Sequence, residues 1–124
     1  TIPAAKETVL GDTVSSIAFI YLCVAGSDGK ISEEEKEMIV TKTQEWTEND
    51  ISDRLQFTID LWKSLDTDSE LAMLAEAVKQ VKSKLPPDTV DAFKADVIQI
   101  VTADGKTEDV EKSMTVLIFT HLAD

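Results

Sequence analysis

The stretch Asp28-Gly29-Lys30-Ile31-Ser32-Glu33-Glu34-Glu35-Lys36 has a counterpart in the second half of the chain, Asp104-Gly105-Lys106-Thr107-Glu108-Asp109-Val110-Glu111-Lys112. Each phrase opens on Asp-Gly-Lys and reaches a Glu-Lys pair seven residues after the Asp. A mostly apolar stretch precedes each Asp-Gly, and a helical pattern carrying a methionine (Met38, Met114) follows. Duplication at this separation implies two related helical units packed on each other, each with a loop that has carboxylates at both ends. The chemistry of the chain is expected in those two loops.

Outward from the phrases the pattern is helical nearly throughout. There are four glycines, three prolines and no alternating β-branched run. Thr13 to Ala25 is apolar almost all round, which is how a helix buried on several sides reads. It stops at Gly26 and the Asp28-Gly29 turn. Ser32 is an N-cap candidate, and Glu35 three residues later completes a capping box. Met38, Ile39 and Trp46 carry that helix forward. Asn49 or Asp50 can cap the next, with the stripe Ile51, Leu55, Thr58, Ile59, Trp62 and Leu65. Asp66-Thr67-Asp68-Ser69 offers several N-caps for a helix through Leu71, Leu74, Val78, Val81 and Leu85. Pro86-Pro87 ends it, and Asp88 or Thr89 starts one through Val90, Phe93, Val97 and Val101. The last helix carries Val110, Met114, Leu117, Ile118, His121 and Leu122. The expected fold is all-α: one domain over residues 1–124, a compact bundle of about six helices with an internal pseudo-two-fold repeat. Thr1 to Gly11 leaves room for a short additional helix.

The chain has 124 residues and is 43% hydrophobic, enough for a core. Its net charge is −12, from 24 acidic and 12 basic side chains. That disfavours nucleic acid and anionic membranes as partners and favours cations or a basic protein surface. Cys23 is the single cysteine, so an intramolecular disulfide and a thiolate zinc site within one chain are excluded. The longest apolar run, Ile17 to Ala25, is nine residues, far below the ~20 that span a bilayer. No signal peptide is visible, and a cytoplasmic location is expected.

Read as calcium loops, the phrases place Asp28 and Asp104 at position 5 of an EF-hand, the glycines at 6, and Glu35 and Glu111 at 12. The front half does not fit, because positions 1 and 3 hold Val24 and Gly26, then Ile100 and Thr102. Read as structure alone, Asp-Gly makes a tight turn and acidic residues suit a first helical turn. Glu35 is then explained by its capping box. Glu111 is not, since the residue three before it is Glu108. Read as a metal site, four carboxylates from two pseudo-symmetric loops converge and a divalent cation offsets their repulsion. Oxygen donors without cysteine suit Ca²⁺, Mg²⁺ or Mn²⁺.

The apolar helix, the segments Ser27 to Lys30 and Ala103 to Lys106, and the acidic turn with Glu seven after Asp, all occurring twice, resemble the TerB-like tellurite-resistance family. The resemblance covers roughly Val14 to Leu122, with a departure around Gly26 and nothing diagnostic between Thr41 and Leu85. It implies an all-α domain of duplicated helical units in bacterial stress and tellurite resistance. It also implies metal binding through Asp28 and Glu35 in the first copy and Asp104 and Glu111 in the second.

Elsewhere the residues read as packing. His121 lies on an apolar stripe, and no Ser/His/Asp or Cys/His constellation accompanies it. Cys23 reads as an inert core thiol. Trp46 and Trp62 read as core, or as anchors for a partner. Glu45 to Glu70 holds eight acids and two bases, a solvated face or a docking surface. With no catalytic set and no phosphate-binding loop, the chain reads as non-enzymatic: a TerB-like module, or alternatively a metal-free helical adaptor whose acidic surface binds a protein partner.

Overall fold

The computed structural model describes residues 2–26, 31–102 and 109–123, and side chains over 4–26, 31–102 and 113–122. Among these residues there are seven helices and no strand: α1 (Ile2–Leu10), α2 (Thr13–Ala25), α3 (Glu33–Gln44), α4 (Ser52–Ser64), α5 (Thr67–Lys84), α6 (Pro87–Val101) and α7 (Asp109–Ala123). The all-α expectation holds. The count of six main helices becomes seven, because the short N-terminal helix forms. It is held by Val9, which is buried, by packing of Ala5 and Leu10, and by the Ser16 hydroxyl donating to the Val9 carbonyl at 3.0 Å.

α2 is the spine. Every residue from Ser15 to Ala25 is buried, and each of the other six helices touches it. Its all-round apolar sequence is the cause: a helix with no polar face gains only by being surrounded. Phe19, Ile20, Tyr21 and Cys23 have no exposed surface at all. α5 supplies the largest facing surface through Met73, Leu74, Ala77, Val78 and Val81. α6 contributes Phe93, Val97 and Ile100, and α7 Ile118 and Leu122. α3 buries little for its length, with Ile39 and Thr43 fully buried and Met38 packed against the core.

The helix starts follow local chemistry. Asp66 caps α5, its carboxylate accepting the Ser69 N–H at 2.7 Å. α4 begins at Ser52 with Ile51 as its N-cap, and the Asp50 carboxylate one residue earlier accepts the Ser52 N–H at 2.9 Å. α6 starts earlier than expected, with Pro86 as N-cap and Pro87 inside the first turn. Proline suits that place, since its missing N–H would have had no helical partner and its φ is already helical. No single described helix is long and apolar enough to cross a membrane, and α1 and α2 meet at a bend of 105°.

Because α2 is enclosed, Ile20→Ala is expected to cost about 2–5 kcal/mol, whereas Val116→Ala, at an exposed site on α7, stays within about 0.5 kcal/mol. Urea unfolding of the two variants beside wild type checks this.

Candidate functional site

The helices that precede the two Asp-Gly phrases end in the same way. Ala25 and Val101, the last helical residues, each lie three positions before their Asp. The next residues share a backbone conformation: Gly26 at φ −97, ψ 20 and Thr102 at φ −99, ψ 5. Each donates its N–H to the carbonyl four residues back, Gly26 to Leu22 at 2.8 Å and Thr102 to Ile98 at 3.1 Å. On the far side α3 starts at Glu33, and Asp109 is already helical. Both stand five residues after their Asp. Glu35 and Glu111 therefore lie near the starts of α3 and α7.

Of the four candidate ligands, Asp28 and Asp104 fall outside the described residues, as does the side chain of Glu111. Glu35 is described, and it is engaged in the predicted capping box. Its Oε1 accepts the Ser32 N–H at 3.0 Å, and the Ser32 hydroxyl accepts the Glu35 N–H at 3.1 Å. Its second oxygen is not used by that box. Among the described residues no group of three or more His, Cys, Asp or Glu side chains is placed to hold a metal ion.

The surroundings of the two helix ends differ. A Cβ on Gly26 would lie 2.3 Å from Trp62 Cζ2 and 2.5 Å from Cη2, and 3.0 Å from the Leu22 carbonyl oxygen. The indole rests directly on the end of α2, and only glycine leaves it room. At the equivalent place in the second copy, Thr102 is exposed. The adjoining Nε1 of Trp62 donates to Glu70 Oε1 at 3.1 Å. Cys23 lies in the same neighbourhood, fully buried. Burial first, and then the Glu70 carboxylate that accepts a hydrogen bond from it, push the thiol well above its ordinary range. That leaves almost no thiolate at neutral pH, and the thiolate is the reactive form.

A second constellation was not anticipated from the sequence. Tyr21 on α2 donates from its hydroxyl to Asp96 Oδ2 on α6 at 3.2 Å. It accepts from Trp46 Nε1, just past α3, at 3.0 Å. Lys42 on α3 pairs with Asp96 Oδ1 at 3.3 Å and donates to Gln99 Oε1. Phe93 stacks on Tyr21 at 5.6 Å between ring centroids and meets Trp46 edge-on at 6.4 Å. Burial, then the Asp96 charge, raise the Tyr21 phenol above its ordinary value of 10.0, while the Trp46 hydrogen bond works the other way. Asp96 and Trp46 border a surface cleft that Glu45 and Asp88 also line. The network ties α3 to α2 and α6 by hydrogen bonds where apolar burial is thin. One group beside it is unsatisfied: the Thr43 hydroxyl is buried with no partner among the described residues. The available signal was Asp96 on an apolar stripe, three residues after Phe93 and one before Val97.

His121 is half-buried on α7, as its stripe implied, and lines a shallow cleft with Lys79, Lys82 and Ser83. Trp46 and Trp62 are both half-buried against the core. No protein-family model, curated protein or solved structure matches this chain significantly.

Two predictions follow from these contacts. Thr43→Val removes an unpaired buried hydroxyl at nearly constant volume and is expected to stabilise by about 1 kcal/mol, read from the urea midpoint. Tyr21 has a raised pKa in the fold, so its contribution is full below its unfolded value near 10.0 and is lost as pH rises beyond it. Cys23 acts in the same direction from its ordinary value of 9.0. Unfolding free energy is therefore expected to fall more steeply between pH 9 and 11 in wild type than in Tyr21→Phe.

Proposed function

We propose that this chain is a non-enzymatic TerB-like module of bacterial stress and tellurite resistance, binding a divalent cation through its two Asp-Gly loops. Asp28 and Glu35 supply carboxylates from the first loop, Asp104 and Glu111 from the second. The observation that carries the reading is the common register of the two loops. Helices α2 and α6 end three residues before their Asp with matching backbone and hydrogen bonds. The acidic residue seven after each Asp lies in the helix that follows. Two segments that share both sequence and exit geometry are best explained as copies of one unit. Carboxylates alone suit a hard cation, so Ca²⁺, Mg²⁺ or Mn²⁺ is the expected class.

A metal-free adaptor with an acidic docking face is the second reading, and one observation favours it. Glu35 is already occupied by its capping box, so at least one candidate ligand has a structural task. The two readings part at Glu111, for which the sequence offers no such task. If a cation is held there, millimolar Ca²⁺, Mg²⁺ or Mn²⁺ raises the melting temperature of wild type by mass action, and Glu111→Gln removes that rise. Without a cation, Glu111→Gln is neutral or slightly stabilising, through relief of like-charge repulsion. Thermal melts of both proteins in EDTA and in each cation decide it. Wild-type curves that coincide in all conditions would overturn the cation reading and leave the adaptor.

A further inference from the structure

A cleft of about 410 Å³ opens where the end of α2, the start of α3 and α4 come together. Leu22, Ile31, Ile59 and Trp62 form its apolar lining, and Lys36 and Lys63 stand at its rim. Gln56 and Glu33 complete the described lining. A volume of this order lies within the range of small-molecule sites, and here apolar and polar residues share the lining equally. The aromatic wall is set in advance. Trp62 is held at its Nε1 by Glu70 and seated on the Cβ-less end of α2 at Gly26. Such a wall loses little freedom when a ligand arrives. Neither Lys36 nor Lys63 has an ion-pair partner among the described residues. That is notable where carboxylates outnumber cations two to one.

We propose that this cleft binds a small amphipathic monoanion, a carboxylate carried on an apolar body. The body lies against Trp62, Leu22 and Ile59, and the head sits at the Lys36 and Lys63 rim. The charge of the whole chain selects one negative charge rather than two. The net charge of −12 repels every anion at long range, and each further charge on the ligand adds to that cost. The two rim ammonium groups, with Glu33 the one carboxylate in the described lining and Glu70 and Asp60 taken up by hydrogen bonds from Trp62 and Gln56, act over about one screening length and favour one anionic head rather than two. A cationic head gains from the overall field but meets the two lysines at the rim. The site borders the first Asp-Gly phrase through Ile31, Glu33 and Lys36, but it uses none of the candidate metal ligands.

The test is a titration followed by two-dimensional NMR on the Trp62 indole N–H and the Ile59 methyl signals. It is run in EDTA, so that loop occupancy by a cation plays no part. Octanoate is expected to shift both signals saturably at millimolar concentration. Acetate, which has the head without the body, leaves them in place. Octylammonium and inorganic phosphate bind at least several-fold more weakly than octanoate. In the double variant Lys36→Gln/Lys63→Gln, octanoate affinity falls roughly 3- to 10-fold, the range for two exposed charge contacts. The variant's unchanged spectrum elsewhere shows that it is folded. The proposal is overturned if octanoate leaves both signals unmoved, if octylammonium binds as tightly, or if the double variant binds octanoate like wild type.

Discussion

The burial of α2 on all sides is the constraint from which the other features follow. A helix with no polar face forces its neighbours to enclose it, and six helices do so. Its length then places two neighbourhoods. Tyr21 lies inside the core yet carries a hydroxyl that must be satisfied, and this draws in Asp96 and Trp46. Gly26 ends the helix against the six-membered ring of Trp62, which sets one wall of the α2–α3–α4 cleft. Both arrangements are consequences of where α2 stops and of which side chains it carries in its last two turns.

The helices that follow the two phrases are packed differently. α7, after the second phrase, packs with Ile118 and Leu122 buried and with Met114, Leu117 and Phe119 against the core. α3, after the first, has Ile39 and Thr43 fully buried. It relies on the Lys42–Asp96 pair, the Gln99 contact and the Trp46–Tyr21 hydrogen bond. The Lys42–Asp96 pair is largely buried, its side chains 16% and 12% exposed, and its desolvation offsets much of its attraction, so α3 is held more lightly than α2. It is also the helix that carries Glu35 and one edge of the apolar cleft. A cation in the first loop and a ligand in the cleft would both act on the start of this lightly held element.

What the sequence made legible was local. The apolar girth of α2, its end at Gly26 and the Ser32–Glu35 capping box depend on residues close in sequence, and all are present. The cap of α5 at Asp66 belongs with them. Less legible were features that depend on distant partners. Tyr21 and Asp96 are 75 positions apart, and neither residue announces the other. The contact of Trp62 on Gly26 is of the same kind: the glycine looked like a helix stop and is also the seat of an indole. The short α1 lacked a long stripe and is held by docking on α2. Pro87 was read as a terminator, although the first turn of a helix is where proline is tolerated. The four candidate carboxylates divide accordingly. Glu35 was legible through its cap, and the placement of Asp28, Asp104 and the Glu111 side chain lies outside the described residues.

Native-state amide hydrogen exchange tests the central claim, that α2 is the spine and α3 the lightly held arm. In EDTA, amides from Phe19 to Val24 are expected to exchange only through global unfolding, with opening free energies equal to the urea-derived stability. Amides in the middle of α3, around Ile39 and Val40, should open at distinctly lower free energy, through a transition that leaves α2 protected. Exchange of the α2 amides at rates matching those of α3, or α3 amides as protected as those of α2, would contradict the account.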